Sequence, residues 1–296
     1  MTSEVVFPDK NLEAVVREAL EKPEGPLTGE DLKRLDVLDA TNRKIEDLTE
    51  LSHCVNLTAL GLGNNRISDI TPLASLTNLT TLTLWNNAGY DRQISDLAPL
   101  ASLTKLETLR IWYNHIRDIS PLASLTNLTR LYLDDNQISD ITPLASLTNL
   151  TGLYLDGNQL SDISPLASLT NLTTLYLDDN QISDIAPLAS LTNLTGLDLD
   201  DNRVSDLTPL APLANLTWLE LRNNRSDDIT PLASLTSLKT VDFWNNRVSD
   251  VSPLISLPNL TWIRIGNNPL SQDSINAHIS TLKSRGVFVV LLVGFA

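Results

Sequence analysis

Leu128 to Asn149 reads L-T-R-L-Y-L-D-D-N-Q-I-S-D-I-T-P-L-A-S-L-T-N, and close copies of these 22 residues recur about ten times along the 296-residue chain. The central asparagine returns at Asn65, Asn87, Asn114, Asn136, Asn158, Asn180, Asn202, Asn224, Asn246 and Asn268. Each step is 22 residues except that from Asn87 to Asn114, which is 27. A fixed period of this length marks a solenoid, in which each coil buries its apolar side only against its neighbours. Length alone would allow two globular domains, but the period outweighs it.

One coil, Leu57 to Asn78, shows how the pattern works. Leu60 and Leu62 alternate at strand spacing and point inward with Leu57, while Ala59, Gly61 and Gly63 point to the opposite face. Asn65 ends the strand. Its amide both donates and accepts, so stacked asparagines form a ladder that satisfies backbone groups in the turns. Ile67 and Ile70 bring the chain back to the core. Thr71-Pro72 suits a short helical turn, with the hydroxyl as N-cap and proline at the first helical position. Leu73 and Leu76 close the coil from outside. Strands inside and shorter helical turns outside predict a curved α/β solenoid with a parallel, concave β-sheet.

An aspartate recurs at Asp47, Asp69, Asp96, Asp118, Asp140, Asp162, Asp184, Asp206, Asp228 and Asp250. A ladder of cations is one reading. The other is an acceptor for backbone N–H groups in its own loop, and its presence in every copy, irregular ones included, favours that. Three departures stand out. Arg43 occupies a ladder position, with Asn42 one place early; Ser226 replaces an apolar core residue and predicts a soft spot; and Ala88 to Arg92 (AGYDR) is an insertion just after a strand, which makes Tyr90 a candidate for a role.

Net charge is -15, which argues against nucleic acid and against anionic membrane surfaces. A single cysteine, Cys54, excludes an intrachain disulfide and does not separate cytosol from exterior. The N-terminus lacks the charged head and apolar stretch of a signal peptide. The run Val287 to Ala296 is about half of the ~20 residues that span a bilayer and reads as a final capping strand. Enzymatic signals are poor. His53, His115 and His278 are scattered, no phosphate, dinucleotide or metalloprotease motif occurs, and an open, wet surface gives no means of separating two carboxylate pKa values. No enzyme activity and no cofactor are expected. The Asn-Leu-Thr sequons read as a by-product of the repeat.

Function belongs where the repeat varies, on the outward strand face. The middle coils supply Tyr132, Tyr154 and Tyr176 in register, flanked by Asp134, Asp135, Asp156, Asp178, Asp179, Asp198, Asp200, Asp201 and Glu220. Trp85, Trp112 and Tyr113 lie toward the N-terminal end, with His115 just past the strand, and Trp218, Trp244 and Trp262 toward the C-terminal end. Duplication explains the regular tyrosines but not the tryptophans, which lie in diverged coils. Exposed Trp and Tyr are typical binding hot spots. The acids favour a protein partner with a basic surface. Calcium is the rival, with Asp198-Leu199-Asp200-Asp201 as its best candidate, but no calcium-loop spacing is present, and no metal site is assigned.

The repeat L-x-x-L-x-L-x-x-N-x-I-x-D-I-x-P-L-x-x-L resembles the leucine-rich repeat of bacterial internalins. Phe7 to Leu20 resembles the helical N-terminal cap of that family, with Leu12, Val15, Val16, Ala19 and Leu20 on one apolar face. Thr28-Gly29-Glu30-Asp31 resembles a capping box opening a second helix. Asn268-Pro269-Leu270 and Ser274 to Ser284 resemble the closing turn and helix. The resemblance implies a leucine-rich-repeat horseshoe with short helical or 3-10 turns on the convex side. It further implies a helical N-terminal cap over 1–34, repeats over 35–268 with the insertion at 88–92, and a C-terminal cap over 269–296. It also implies a secreted or surface-attached bacterial protein, with a cytoplasmic one not excluded, that binds a protein partner without catalysis. Insertion into a membrane is not expected, and the chain reads as a monomer. The alternatives are a structural spacer, an engineered consensus scaffold included, and a carbohydrate binder that stacks sugars on the aromatics.

Overall fold

The computed structural model describes residues 4–87 and 94–291. The insertion and Tyr90 lie outside the described residues. The chain divides into two compact units, Met1–Leu150 and Thr151–Ala296.

In the first unit, α1 (Lys10–Ala19) and α2 (Gly29–Leu32) precede five short parallel strands. These are β1 (Val37–Asp39), β2 (Ala59–Gly61), β3 (Thr81–Thr83), β4 (Thr108–Arg110) and β5 (Arg130–Tyr132). Asp9 caps α1 through the N–H groups of Asn11 and Leu12. The Thr28–Asp31 capping box opens α2. Leu12, Val15, Val16 and Leu20 are buried as expected; Ala19 is exposed, because the helix ends there and its apolar face runs off the core.

The second unit holds β6 (Gly152–Tyr154), β7 (Thr174–Tyr176), β8 (Gly196–Asp198), β9 (Trp218–Glu220), β10 (Thr240–Asp242), β11 (Trp262–Arg264) and β12 (Phe288–Val290), again parallel and in chain order. A π-helical turn, Ser274–His278, runs into α3 (Ile279–Ser284) before β12. The C-terminal apolar run thus begins as a closing strand.

Each coil buries the seven apolar positions read from the repeat: Leu57, Leu60, Leu62, Ile67, Ile70, Leu73 and Leu76 are all within 2% of full burial. The ladder asparagines from Asn65 to Asn246 are buried too, and Asn268 is half-buried. Asn202 Nδ2 donates to the carbonyls of Leu177, Leu199 and Asp200, and its Oδ1 accepts from Ile182 N. One amide therefore joins two coils and meets four backbone groups.

The turns on the far side are 3-10 helices such as Thr71–Ser75. Here one expectation is corrected. Thr71 is not the cap: it lies inside the turn, and Asp69 Oδ1 accepts from Thr71 N at 2.8 Å. The same contact recurs from Asp118, Asp140, Asp162, Asp184, Asp206, Asp228 and Asp250. The loop role of the recurrent aspartate is thereby borne out. Ser226 is fully buried, and its hydroxyl donates to Val204 O at 3.2 Å.

Candidate functional site

Three outward rows cross the strands of each unit. In the second unit the first row is Gly152, Thr174, Gly196, Trp218, Thr240, Trp262 and Phe288, and the middle row is Tyr154, Tyr176, Asp198, Glu220, Asp242, Arg264 and Val290. Just past the strands come Asp156, Asp178, Asp200, Arg222 and Trp244. Every tryptophan and tyrosine expected on this side is found there, and none enters the core.

The aromatics contact one another instead of standing free. Trp85 and Trp112 stack with centroids 5.8 Å apart and planes at 5°, and Trp112 meets Tyr132 at 5.9 Å. Tyr154 stacks on Tyr176 at 4.9 Å, and Tyr176 meets Trp218 at 5.3 Å. Arg110 sits over Tyr132 and Arg264 over Trp244, at 5.1 and 4.5 Å from the ring centroids. Glycines make room for two indoles. A Cβ on Gly63 would fall 2.3 Å from Trp85, and one on Gly196 would fall 2.2 Å from Trp218. Toward β1 the first unit's face is a shallow trough lined by small residues, among them Ala59, Gly61, Thr81 and Thr83.

The residue before each ladder asparagine has a left-handed backbone: φ is 54° at Asn64, 49° at Asn86, 50° at Asp135, 49° at Asp179 and Asp201, and 61° at Gly157. Asn, Asp and Gly tolerate this region; bulky residues are strained in it. Backbone conformation therefore accounts for Asp135, Asp179 and Asp201. Asn42, at 58°, belongs to the same column and is not a displaced ladder residue. Tyr113 is the exception. It holds φ of 54° and is 57% exposed.

The acids are not an even, solvated field. Asp200 is fully buried; its Oδ2 takes Nε and Nη2 of Arg222 at 2.5 Å each. Asp242, also buried, has Arg222 at 3.8 Å and Arg264 at 3.6 Å. Burial pushes Asp198 up to about 7, against a backbone bond from Asp200 N and with the charges of Asp200 and Asp178 adding to it. Burial and the charges of Asp200, Asp242 and Asp198 push Glu220 up to about 7. Asp178, Asp200 and Asp242 are raised for the same first reason. The open face thus does shift carboxylate pKa values, contrary to the expectation for a wet surface, because stacked rings and neighbouring side chains exclude water from it.

Carboxylate oxygens of Asp178, Asp198 and Asp200 lie within 4.8 Å of one another. Asp201, part of the run considered for calcium, is not in that cluster, and Asp200 is already committed to Arg222. Reading along the chain missed Arg222, Arg264, Gly63 and Gly196. The signal was present at an offset of one repeat: Arg222 follows Asp200 by 22 residues, as Trp85 follows Gly63 and Trp218 follows Gly196.

The family described as Leucine Rich repeats (2 copies) matches residues 55–102, 104–146, 148–190 and 236–278, and a leucine rich repeat matches residues 170–225. An internalin, InlF, from Listeria monocytogenes is similar over 98% of this chain and 84% of its own, with 32% identity and a TM-score of 0.91. Internalin C2 of the same species shares 42% identity over 73% of this chain and 94% of its own, with a TM-score of 0.68. The leucine-rich-repeat ectodomain of the Arabidopsis thaliana receptor kinase GASSHO1/SCHENGEN3, solved with CASPARIAN STRIP INTEGRITY FACTOR 2, is 25% identical over 76% of this chain and 29% of its own, at a TM-score of 0.68. No curated protein matches the chain.

Proposed function

We propose, because the chain belongs to the internalin family of leucine-rich-repeat proteins, that it is a non-catalytic module that docks a protein partner on the open face of its sheet. Leucine-rich-repeat proteins serve generally as protein-interaction modules, and the plant ectodomain above was solved with a bound factor. Trp85, Trp112, Tyr113 and Tyr132 act as anchors on the first unit. Tyr154, Tyr176, Trp218, Trp244 and Trp262 act as anchors on the second. Asp134, Asp156, Asp178, Asp198, Asp200 and Glu220 select a basic partner, although Arg222 already neutralises part of that charge. Asp156, Asp178, Asp198, Asp200 and Glu220 lie on the second unit's face, and such a field accelerates encounter with a cationic surface.

Tyr113 carries the reading. A bulky residue in the left-handed region costs about 1 kcal/mol or more, and a spacer has no use for that strain. A carbohydrate binder would present free ring faces, whereas Trp85 and Trp112 cover each other. By family resemblance the module works as a monomer at the bacterial surface or outside the cell; no helix among the described residues is long and apolar enough to cross a membrane.

The test is truncation of Trp112, Trp218 and Trp244 to Ala in one variant, followed by capture of proteins at two salt concentrations. A docking module loses its partner while keeping its thermal melt, and the wild-type complex weakens with added salt. Undiminished capture by the variant would leave the spacer reading in place, and selective hits on a glycan array would favour carbohydrate.

A further inference from the structure

We infer that the first unit holds a receptor for one carboxylate, the guanidinium of Arg110 seated on Tyr132, and that an Asp or Glu side chain of the protein partner fills it. This rests on the docking reading above and adds a contact opposite in sign to those of the second unit's acids.

One arginine differs from its peers. Among the described residues, Arg17, Arg110, Arg222 and Arg264 are the half-buried arginines. Arg17 pairs with Glu13 at 2.9 Å, Arg222 with Asp200 at 2.5 Å and Arg264 with Asp242 at 3.6 Å. The Arg110 guanidinium meets no carboxylate and no hydrogen-bond acceptor among the described residues; it lies over the Tyr132 ring, 5.1 Å from the centroid. Other arginines without an acid, such as Arg130 and Arg203, are exposed, and water serves them. Arg264 shows the completed arrangement, with the Trp244 ring at 4.5 Å and the Asp242 carboxylate beside it. Arg110 has the ring and lacks the acid.

Strand register explains the gap. Across β3, β4 and β5 the middle outward row reads Thr83, Arg110, Tyr132, and the first row reads Thr81, Thr108, Arg130. The sheet thus gives Arg110 a hydroxyl on one side and a ring on the other. Trp112 meets the same Tyr132 ring at 5.9 Å and stacks on Trp85. On the β3 side the trough of small side chains, Gly61 and Thr83 among them, leaves room for an incoming group.

A guanidinium half withdrawn from water, with its fork of N–H donors unmet, gains most from a carboxylate, which accepts in a bidentate pair. The ring beneath it restricts the side chain beforehand, so less freedom is lost on binding. Asp39, Glu107 and Asp134 border the same face and repel a phosphate dianion more than a single negative charge. Trp112 and the exposed Tyr113 follow Arg110 closely in the chain, so the carboxylate arrives on a docked surface, as a side chain and not as a chain end.

Solution NMR of the whole chain, titrated with N-acetylglutamate α-amide at constant ionic strength, tests the receptor. The Arg110 Nε–H and Trp112 indole N–H signals are expected to move saturably, and the Arg203 Nε–H signal is not. Read at Trp112, Arg110→Gln should weaken binding about tenfold, and Arg110→Lys, which keeps the charge and loses the fork, about threefold. Arg203→Gln, the same loss of charge on an exposed loop, should leave it unchanged. Thermal melts report whether the variants fold. Equal movement at Arg203, equal weakening by Arg203→Gln, or a Lys variant as good as wild type would reduce the contact to net charge and overturn the receptor. Inorganic phosphate binding as tightly would make it a general anion point, and N-acetylglycine binding more tightly would assign it to a chain end; either overturns the proposal. Partner capture that depends on the tryptophans but ignores Arg110→Gln would sink the receptor and spare the docking reading. A saturable Arg110 response in a chain whose tryptophan truncation leaves capture undiminished would sink the docking reading and spare the receptor.

Discussion

The second unit carries two sets of acids that behave in opposite ways. In the loops, Asp206, Asp228 and Asp250 accept from a backbone N–H and a neighbouring hydroxyl in solvent, and are held below the usual carboxylate range. On the open face, Asp178, Asp198 and Glu220 are desolvated among like charges and are held above it. Both sets are carboxylates, so the difference lies in what each one faces: donors in one case, other acids and rings in the other. The loop acids hold the coil together. The face acids strain it.

The largest effect that sharpens this contrast is expected from Asp198→Asn. A rise from the ordinary value to about 7 corresponds to about 4 kcal/mol, and relaxation of neighbouring charges reduces it. The variant is expected to be more stable than wild type by about 2 kcal/mol at pH 8, read from the urea midpoint; a destabilised variant would break the contrast. The pH profile comes next. The face acids have raised folded values, so their contribution is present in acid and lost as pH rises through about 7. The loop acids have lowered values, so theirs is present above about 4 and lost below it. Stability should climb from pH 8 to about 5 and fall below about 4. A profile flat between 5 and 8 would mean the face carboxylates are solvated after all. The smallest effect is Asp206→Ala, expected to cost about 1 kcal/mol at pH 7 by removing the acceptor for Thr208 N, and to cost less below pH 4.

Much of this was legible in the sequence, and unevenly so. The ladder asparagines, the loop aspartates and the seven core columns follow from chemistry that every coil must repeat, so the period exposes them. The sidedness of the tryptophans follows from strand alternation. Contacts between coils are harder to see, because Asp200 and Arg222 are 22 residues apart in sequence and adjacent only after stacking. The same holds for Gly196 beneath Trp218. Nor did composition distinguish Asp201, present because its backbone is left-handed, from Asp198, which is held in the dry part of the face. Expecting Thr71 as a cap failed for a local reason: the turn opens one residue earlier, at Ile70, whose carbonyl accepts from Leu73 N, so Thr71 is already inside it.

The glycine against the Trp218 indole has a consequence for how such an array changes over generations. Repeat arrays gain and lose whole cassettes by slippage, and here the Gly196 and Trp218 partners sit in different cassettes. Excising residues 196–217 would seat the Trp218 strand directly on Thr174, and the indole would have to leave the position it holds over Gly196, as Trp262 does beside Thr240 in the same row. Heredity therefore preserves this seating of ring on glycine only where the two coils travel together, and an otherwise interchangeable lattice contains a pair of repeats that recombination copies intact only as a unit.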